Sequence, residues 1–571
     1  MKYSRHPILS LAIMAAALIL ANSGCSPSAR EARHLSRGNR YFADSRYPEA
    51  IIEYLNVLRI NPTNTAAIRG MGLANYQTGD ARSAIQFLLM ALQSQPEDVD
   101  LRIKAGTLYR WAGQVEDALT QVDQILQRDP KNLEALLLMA DCSYTPDTIK
   151  EAFERLENVR SEFEDRMIYH LALGNLFLRQ RRPQEAVQAY TEAIARDPKS
   201  TEPHMALARL YRMEGKSAQA DAEFKAASEL APLVSPVRVA WADFKLLTGD
   251  TNGAVQILTE ITAKEPDYIP ACFRLAQVAF AERRFPDCRG LLDRILAKEP
   301  SHADALLLHS RIQLAHNETA KARKELEALT AKYPRFAPAH YFLAVACLRM
   351  KDSRSALDEL KQAIAIRPDF EDPAILSAEI NLQAGNADAA IEDLKRLLLV
   401  HPRSARALTV LGTAYRAKRM PDKAVTVYRD LIKLQPDSPQ AHFLLGLALR
   451  VQGKADEAGR EFETALTIAP DFSIALAQWV DMSTRGRRYD EAIRRINQQI
   501  EKSPKTAEYW FLLGQTYSSK GDTDKAEEAF LKCIELKPLA TQGYLALSRL
   551  YAASGRNDQA LARAQDALKV N

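Results

Sequence analysis

Cysteine is scarce in this chain. Six cysteines in 571 residues are too few and too scattered for a disulfide framework. A charge excess of one sign is missing as well. The 76 basic and 72 acidic side chains leave a formal net charge of +4. That is not the footprint of a nucleic-acid-binding domain, so no nucleic-acid partner is expected. The signatures of chemistry are absent too: no His-Glu-x-x-His, no Cys-x-x-Cys, no Gly-x-x-x-x-Gly-Lys and no Gly-x-Ser-x-Gly. The chain therefore reads as a non-enzyme with no cofactor and no metal. Long apolar runs are rare; one stands out, Ile8 to Ala21, at the N-terminus.

Proline is what the chain has in order. Pro62, Pro96, Pro130, Pro198, Pro232, Pro266, Pro300, Pro334, Pro368, Pro402, Pro436, Pro470, Pro504 and Pro538 lie on one progression of 34 residues, with Glu164 at the single missed site. A fixed period of this size marks a repeat array. Sixteen repeats tile the chain from Glu31 to Asn571, with the proline at position 32 of each. Position 20 is alanine throughout, except Cys288. Position 8 is glycine, alanine or serine, except Val480. Two small columns imply two helices in close approach, where added volume costs about 1–3 kcal/mol. Position 15 is often glycine, as at Gly79, Gly249 and Gly453, which suits a left-handed residue that ends a helix. The position-32 proline stops the second helix. Pro203, Pro236 and Pro439 start first helices, and Pro48, Pro183 and Pro421 start second ones. Pro146 reads as part of an irregular turn, and the fourth repeat as locally distorted.

This unit resembles the tetratricopeptide repeat family over Glu31–Asn571. Trp510, Leu513, Gly514, Tyr517, Ala526, Phe530 and Pro538 carry the likeness best, followed by Leu408, Leu411, Gly412, Tyr415, Ala424, Tyr428 and Pro436. The resemblance implies an all-α fold, a right-handed α-solenoid of about 16 helix-turn-helix repeats. It also implies that first helices line a concave face through positions 2, 5, 9, 12 and 13.

Lys2 and Arg5 precede the apolar run, which is too short for a typical spanning helix and reads as a secretory signal. The run leads into Ser23-Gly24-Cys25, which resembles the lipobox of bacterial lipoproteins, although Asn22 stands where that family prefers leucine. The expected layout is a signal peptide over residues 1–24, a lipidated tether over 25–30 with the lipid on Cys25, and repeats over 31–571. Ordinary cleavage after Ser23 is the alternative. Ser26 after the cysteine resembles lipoproteins sent to the outer membrane. Cys142, Cys272, Cys288, Cys347 and Cys533 read as free thiols, most of them in packing columns.

Binding residues are sought on the concave face. Position 9 is mostly polar and includes Asn175, Arg209 and Asp243; a buried column would not tolerate this. Arg416 and Arg450 at position 12 and Arg485 at position 13 fall in successive repeats, about 8–10 Å apart if the helices are neighbours. They form a candidate ladder for carboxylates, with Arg349 as an irregular extension. Arg181-Arg182, Arg283-Arg284, Lys418-Arg419 and Arg487-Arg488 line the inter-helix turns. Half of the ten histidines, His34, His170, His204, His340 and His442, occupy position 4, a packing column.

The function expected from this reading is an exported, membrane-anchored scaffold that binds protein partners in a bacterial envelope. In architecture it resembles lipoproteins that accompany exopolysaccharide export and PEP-CTERM protein sorting. Binding of acidic polysaccharide is one alternative, and pilus or outer-membrane assembly another. Leu561 and Leu568 are expected at an exposed end, available for self-association.

Overall fold

The computed structural model describes residues 26–570. The proposed signal sequence and Cys25 lie outside the described residues. Thirty-two helices account for the described chain, and no strand occurs among these residues. They pair into sixteen hairpins whose first helices begin at or near the start of each 34-residue repeat. The described residues divide into two compact units, with the boundary between Leu291 and Leu292. Within each, hairpins stack side by side as an α-solenoid, and each contributes to a core shared with its neighbours.

The helix boundaries follow from capping. Asn64, Asp98, Asn132, Ser404 and Ser438 close their repeats at position 34. Each accepts a backbone N–H three residues on, at 2.8–3.3 Å. Asp80, Asp250, Asp352 and Asp522 do the same for second helices. Between the two helices, position 15 is left-handed in every repeat but the fourth. All eight glycines there have positive φ, joined by Ser45, Arg181, Arg283, Asn317, Lys351, Arg419 and Arg487.

The small columns have distinct causes. Position 20 is buried from Ala50 to Ala560, where the paired helices meet. Position 8 is small where a side chain of a packed neighbouring helix lies on it, an aromatic ring in several repeats and a leucine at Gly72 and Gly106. A Cβ on Gly174 would sit 2.3 Å from the Tyr190 ring, and one on Gly514 would sit 2.6 Å from Phe530. Position 4 reaches back instead. His340 Nε2, His442 Nε2 and Trp510 Nε1 meet the carbonyls of Pro334, Pro436 and Pro504 at 3.0–3.1 Å. Nδ1 of His340 and His442 faces Glu359 and Glu461 at 2.6 Å. This column is therefore a hydrogen-bonding hook as well as a packing position.

Two boundaries differ from the sequence reading. The first helix runs Pro27–Ala43, capped by Ser26, whose Oγ accepts Ala29 N–H at 3.1 Å. Residues 27–30 are thus helical. Pro146 does not sit in a turn; it opens the helix Pro146–Phe163, with Thr145 and Thr148 forming a capping box. In that fourth repeat the first helix shrinks to ten residues, Leu133–Cys142, and the second grows to 18.

Candidate functional site

First helices carry the exposed polar column. Every polar side chain singled out at position 9, from Asn39 to Arg549, is half-buried or exposed. In the first unit this face opens into a cavity of about 1040 Å³. Its walls come from positions 5, 9, 12 and 13 of the repeats around the distorted fourth one: Leu137, Asp141 and Tyr144, then Leu171, Asn175 and Arg179, then Met205, Arg209 and Met213. A smaller cavity in the second unit, about 480 Å³, is lined by Asp481, Gln515 and Arg549 among others.

Polar contacts organise the larger cavity. Asn175 Nδ2 donates to Asp141 Oδ1 at 2.7 Å, and Tyr190 OH donates to Asn175 Oδ1 at 2.7 Å. Arg110 Nε lies 3.7 Å from Asp141 Oδ2. Arg179 donates to the Asp141 backbone carbonyl at 3.2 Å, and its guanidinium lies 4.0 Å from the Tyr144 ring centroid. Burial pushes the Asp141 carboxyl above its ordinary value, although Arg110, Arg179 and Arg209 pull the other way. Arg209 is exposed and makes no hydrogen bond or ion pair.

The other residues singled out from sequence fall as follows. Asp243 accepts from Arg274 Nε at 2.6 Å and lies in an ion pair. Arg450 and Arg485 do not present two free rungs: both reach Asp481, at 3.2 and 3.0 Å. Arg416 is half-buried beside Tyr428, with its Nε unpaired. Arg349 donates to the Leu314 carbonyl. The ladder is thus largely occupied by intramolecular partners. In three of the basic turn pairs the second residue is tied to a nearby acid, Arg182 to Glu185, Arg284 to Asp287 and Arg488 to Glu491. The five described cysteines are buried thiols. Leu561 and Leu568 are exposed. Among the described residues no cluster of His, Cys, Asp and Glu could hold a metal ion, and no helix is long and apolar enough to cross a membrane.

Sequence reasoning passed over Arg110, Tyr144 and Arg179. Their positions, 12 and 13, were the signal, since the same positions drew attention to Arg416 and Arg485.

Stacked helical hairpins with one polar face left open define an α-helical repeat protein. Models described as tetratricopeptide repeat or TPR repeat match residues 38–79, 79–142, 177–238, 245–312, 279–346, 348–414, 410–471 and 507–538. The chain belongs to the tetratricopeptide repeat family. It is 24% identical over 263 residues to Tetratricopeptide repeat protein 21B of Mus musculus, a match covering 41% of this chain and 19% of that protein. The chain thus spans about a fifth of that relative's length. Among solved structures it is similar to the APC/C hetero-tetramer Cut9-Hcn1, with 15% identity, TM-score 0.38, and coverage of 85% of this chain and 96% of the other. It is also similar to the MamA RS-1 ArsTM double mutant, with 18% identity, TM-score 0.28, and coverage of 30% and 97%. Repeats of this family generally mediate protein–protein interaction, and the chain is a scaffold in that sense.

Proposed function

We propose that this scaffold works in a bacterial cell envelope, exported and held at the membrane by a lipid on Cys25, with its repeats facing the periplasm. The observation that carries the binding half is the open first-helix face, with polar position-9 side chains above a large cavity. The localisation half rests on Lys2, Arg5, the apolar run and Ser23-Gly24-Cys25; Ser26 favours the outer membrane. The chain contributes positioning rather than bond chemistry: it holds partner proteins near the bilayer. Exopolysaccharide export or PEP-CTERM protein sorting is the setting proposed, with pilus or outer-membrane assembly as a further setting.

Protein partners are favoured over acidic polysaccharide because Asp481 already engages two arginines of the ladder. The exposed Leu561 and Leu568 support self-association as an additional contact. The test is photo-crosslinking in intact envelopes from groove positions, compared with solvent-facing positions on second helices. Protein adducts from the groove alone are expected; an equal yield from both faces rejects the groove as the binding face. Intact mass of the mature protein tests the anchor, and a free Cys25 thiol rejects it.

A further inference from the structure

We propose that the cavity beside the fourth repeat is a docking site for an extended peptide segment of a partner protein, one that places a carboxylate side chain between apolar side chains. This rests on the scaffold reading and names the ligand chemistry of one place in it.

The irregular repeat shapes the site. The first helix of the fourth repeat ends at Cys142, three residues before the Thr145–Thr148 capping box takes over. Its repeat lacks the left-handed residue that turns the chain in the other fifteen. Tyr144 therefore leaves the helix and stands at the cavity, 51% exposed. The larger of the two groove cavities described above lies beside this departure, with Tyr144 in its wall.

The lining selects the ligand. Four arginines, Arg110, Arg179, Arg181 and Arg209, face two carboxylates, Asp141 and Glu202. Glu202 accepts from Ser200 at 2.5 Å. Asp141 is shared: Arg110, Arg179 and Arg209 all act on it. One carboxylate against three guanidinium groups leaves positive charge over; the buried Arg110 Nε has no hydrogen-bond partner, and Arg209 stands exposed at the cavity. An arginine left so takes a second carboxylate through paired N–H donors. The remaining walls are aliphatic: Leu137, Leu171, Leu178, Met205, Met213 and Val237. Met213 is 68% exposed, an apolar surface left largely to solvent. Aliphatic walls suit leucine- or methionine-like side chains, whereas a uronate polymer offers hydroxyls that such walls cannot pair. The combination favours peptide over acidic polysaccharide.

The test uses the full chain. A displayed library of random dodecapeptides is selected against it. Affinities of the selected peptides are read by fluorescence anisotropy, beside an oligomannuronate probe. Selected peptides are expected to combine Asp or Glu with Leu, Ile, Met or Phe. Arg209→Glu is expected to weaken them by about tenfold or more, and Arg209→Ala by less. Asp141→Asn is expected to tighten them, because it removes the carboxylate that competes for the arginines. Unchanged thermal unfolding by circular dichroism shows that the Arg209 variants remain folded. Peptides without acidic preference, affinity indifferent to both Arg209 and Asp141, or tighter binding of oligomannuronate than of any peptide overturns the proposal. Selected peptides that bind irrespective of Arg209 reject this site and leave the scaffold reading standing. An absence of any selected peptide, together with an absence of groove crosslinks in envelopes, rejects both.

Discussion

At the scale of one residue, a single methyl group tests the stacking. A Cβ on Gly412 would come within 2.3 Å of the Tyr428 ring, which is fully buried. A ring is rigid, so the helices must part: Gly412→Ala is expected to cost about 1–3 kcal/mol in urea unfolding. Gly459 lies inside the helix Ala455–Ile468 and meets nothing within 4 Å. Gly459→Ala is expected to be neutral or to stabilise by up to about 1 kcal/mol, since alanine is the better helix former. Asp141 allows a test by pH. Its folded carboxyl is raised by burial, so the native state binds the proton more readily than the unfolded chain. Its contribution therefore opposes folding at neutral pH, and this opposition fades as pH falls through the raised value. Asp141→Asn can keep the hydrogen bond from Asn175. It is expected to raise the urea midpoint at neutral pH, with the gain shrinking under acid conditions. The position-4 residues show what sequence conveyed and what it did not. Their column was legible as packing; the hook to the proline carbonyl was not, because histidine, tryptophan and cysteine share no pattern until the backbone places an acceptor six residues back, as it does for Cys272 and Pro266 at 3.2 Å.

At the scale of the helix pair, the corner decides. Arg419 is left-handed, with φ of 56°, a conformation that costs a side-chain-bearing residue about 1–2 kcal/mol. Glycine relieves that cost but orders a more flexible unfolded chain, so Arg419→Gly is expected to stabilise by up to about 1 kcal/mol in urea unfolding. No gain would mean that Arg419 makes up the strain through contacts of its own. The helices themselves were legible from the period, because a proline stop and a small column recur every 34 residues. Glycine corners were legible for the same reason. Arginine, lysine, asparagine and serine corners were not, since only the 34-residue phase marks them. The binding face was legible as a polar position-9 column. The cavity was not, because it arises where the fourth repeat shifts residues from one helix to the other, a change that involves Thr145, Pro146 and Thr148 together.

At the scale of the whole molecule, five buried thiols report on unfolding. Burial pushes Cys142 and Cys533 up to about 11, so neither offers much thiolate near neutral pH. In native buffer none of the five described cysteines is expected to react with iodoacetamide, and all should react in denaturant. Hairpins bury their faces mainly against neighbours. Across a urea series, mapped by peptide mass, Cys142, Cys272 and Cys288 of the first unit should therefore become reactive together more closely than any of them does with Cys347 or Cys533 of the second. One shared midpoint would mean that the chain unfolds as a single cooperative body.

A chain of units alike in shape faces a register problem while it folds, because one hairpin can stack on a neighbour that is not its own. The fourth repeat breaks that degeneracy. Asp141 holds Asn175, and Tyr144 holds Arg179. Across the sixteen repeats, only the fifth has both an asparagine at position 9 and an arginine at position 13. The irregular hairpin thus recognises its own successor, and the same side chains that open the cavity mark the place from which the neighbouring repeats are counted.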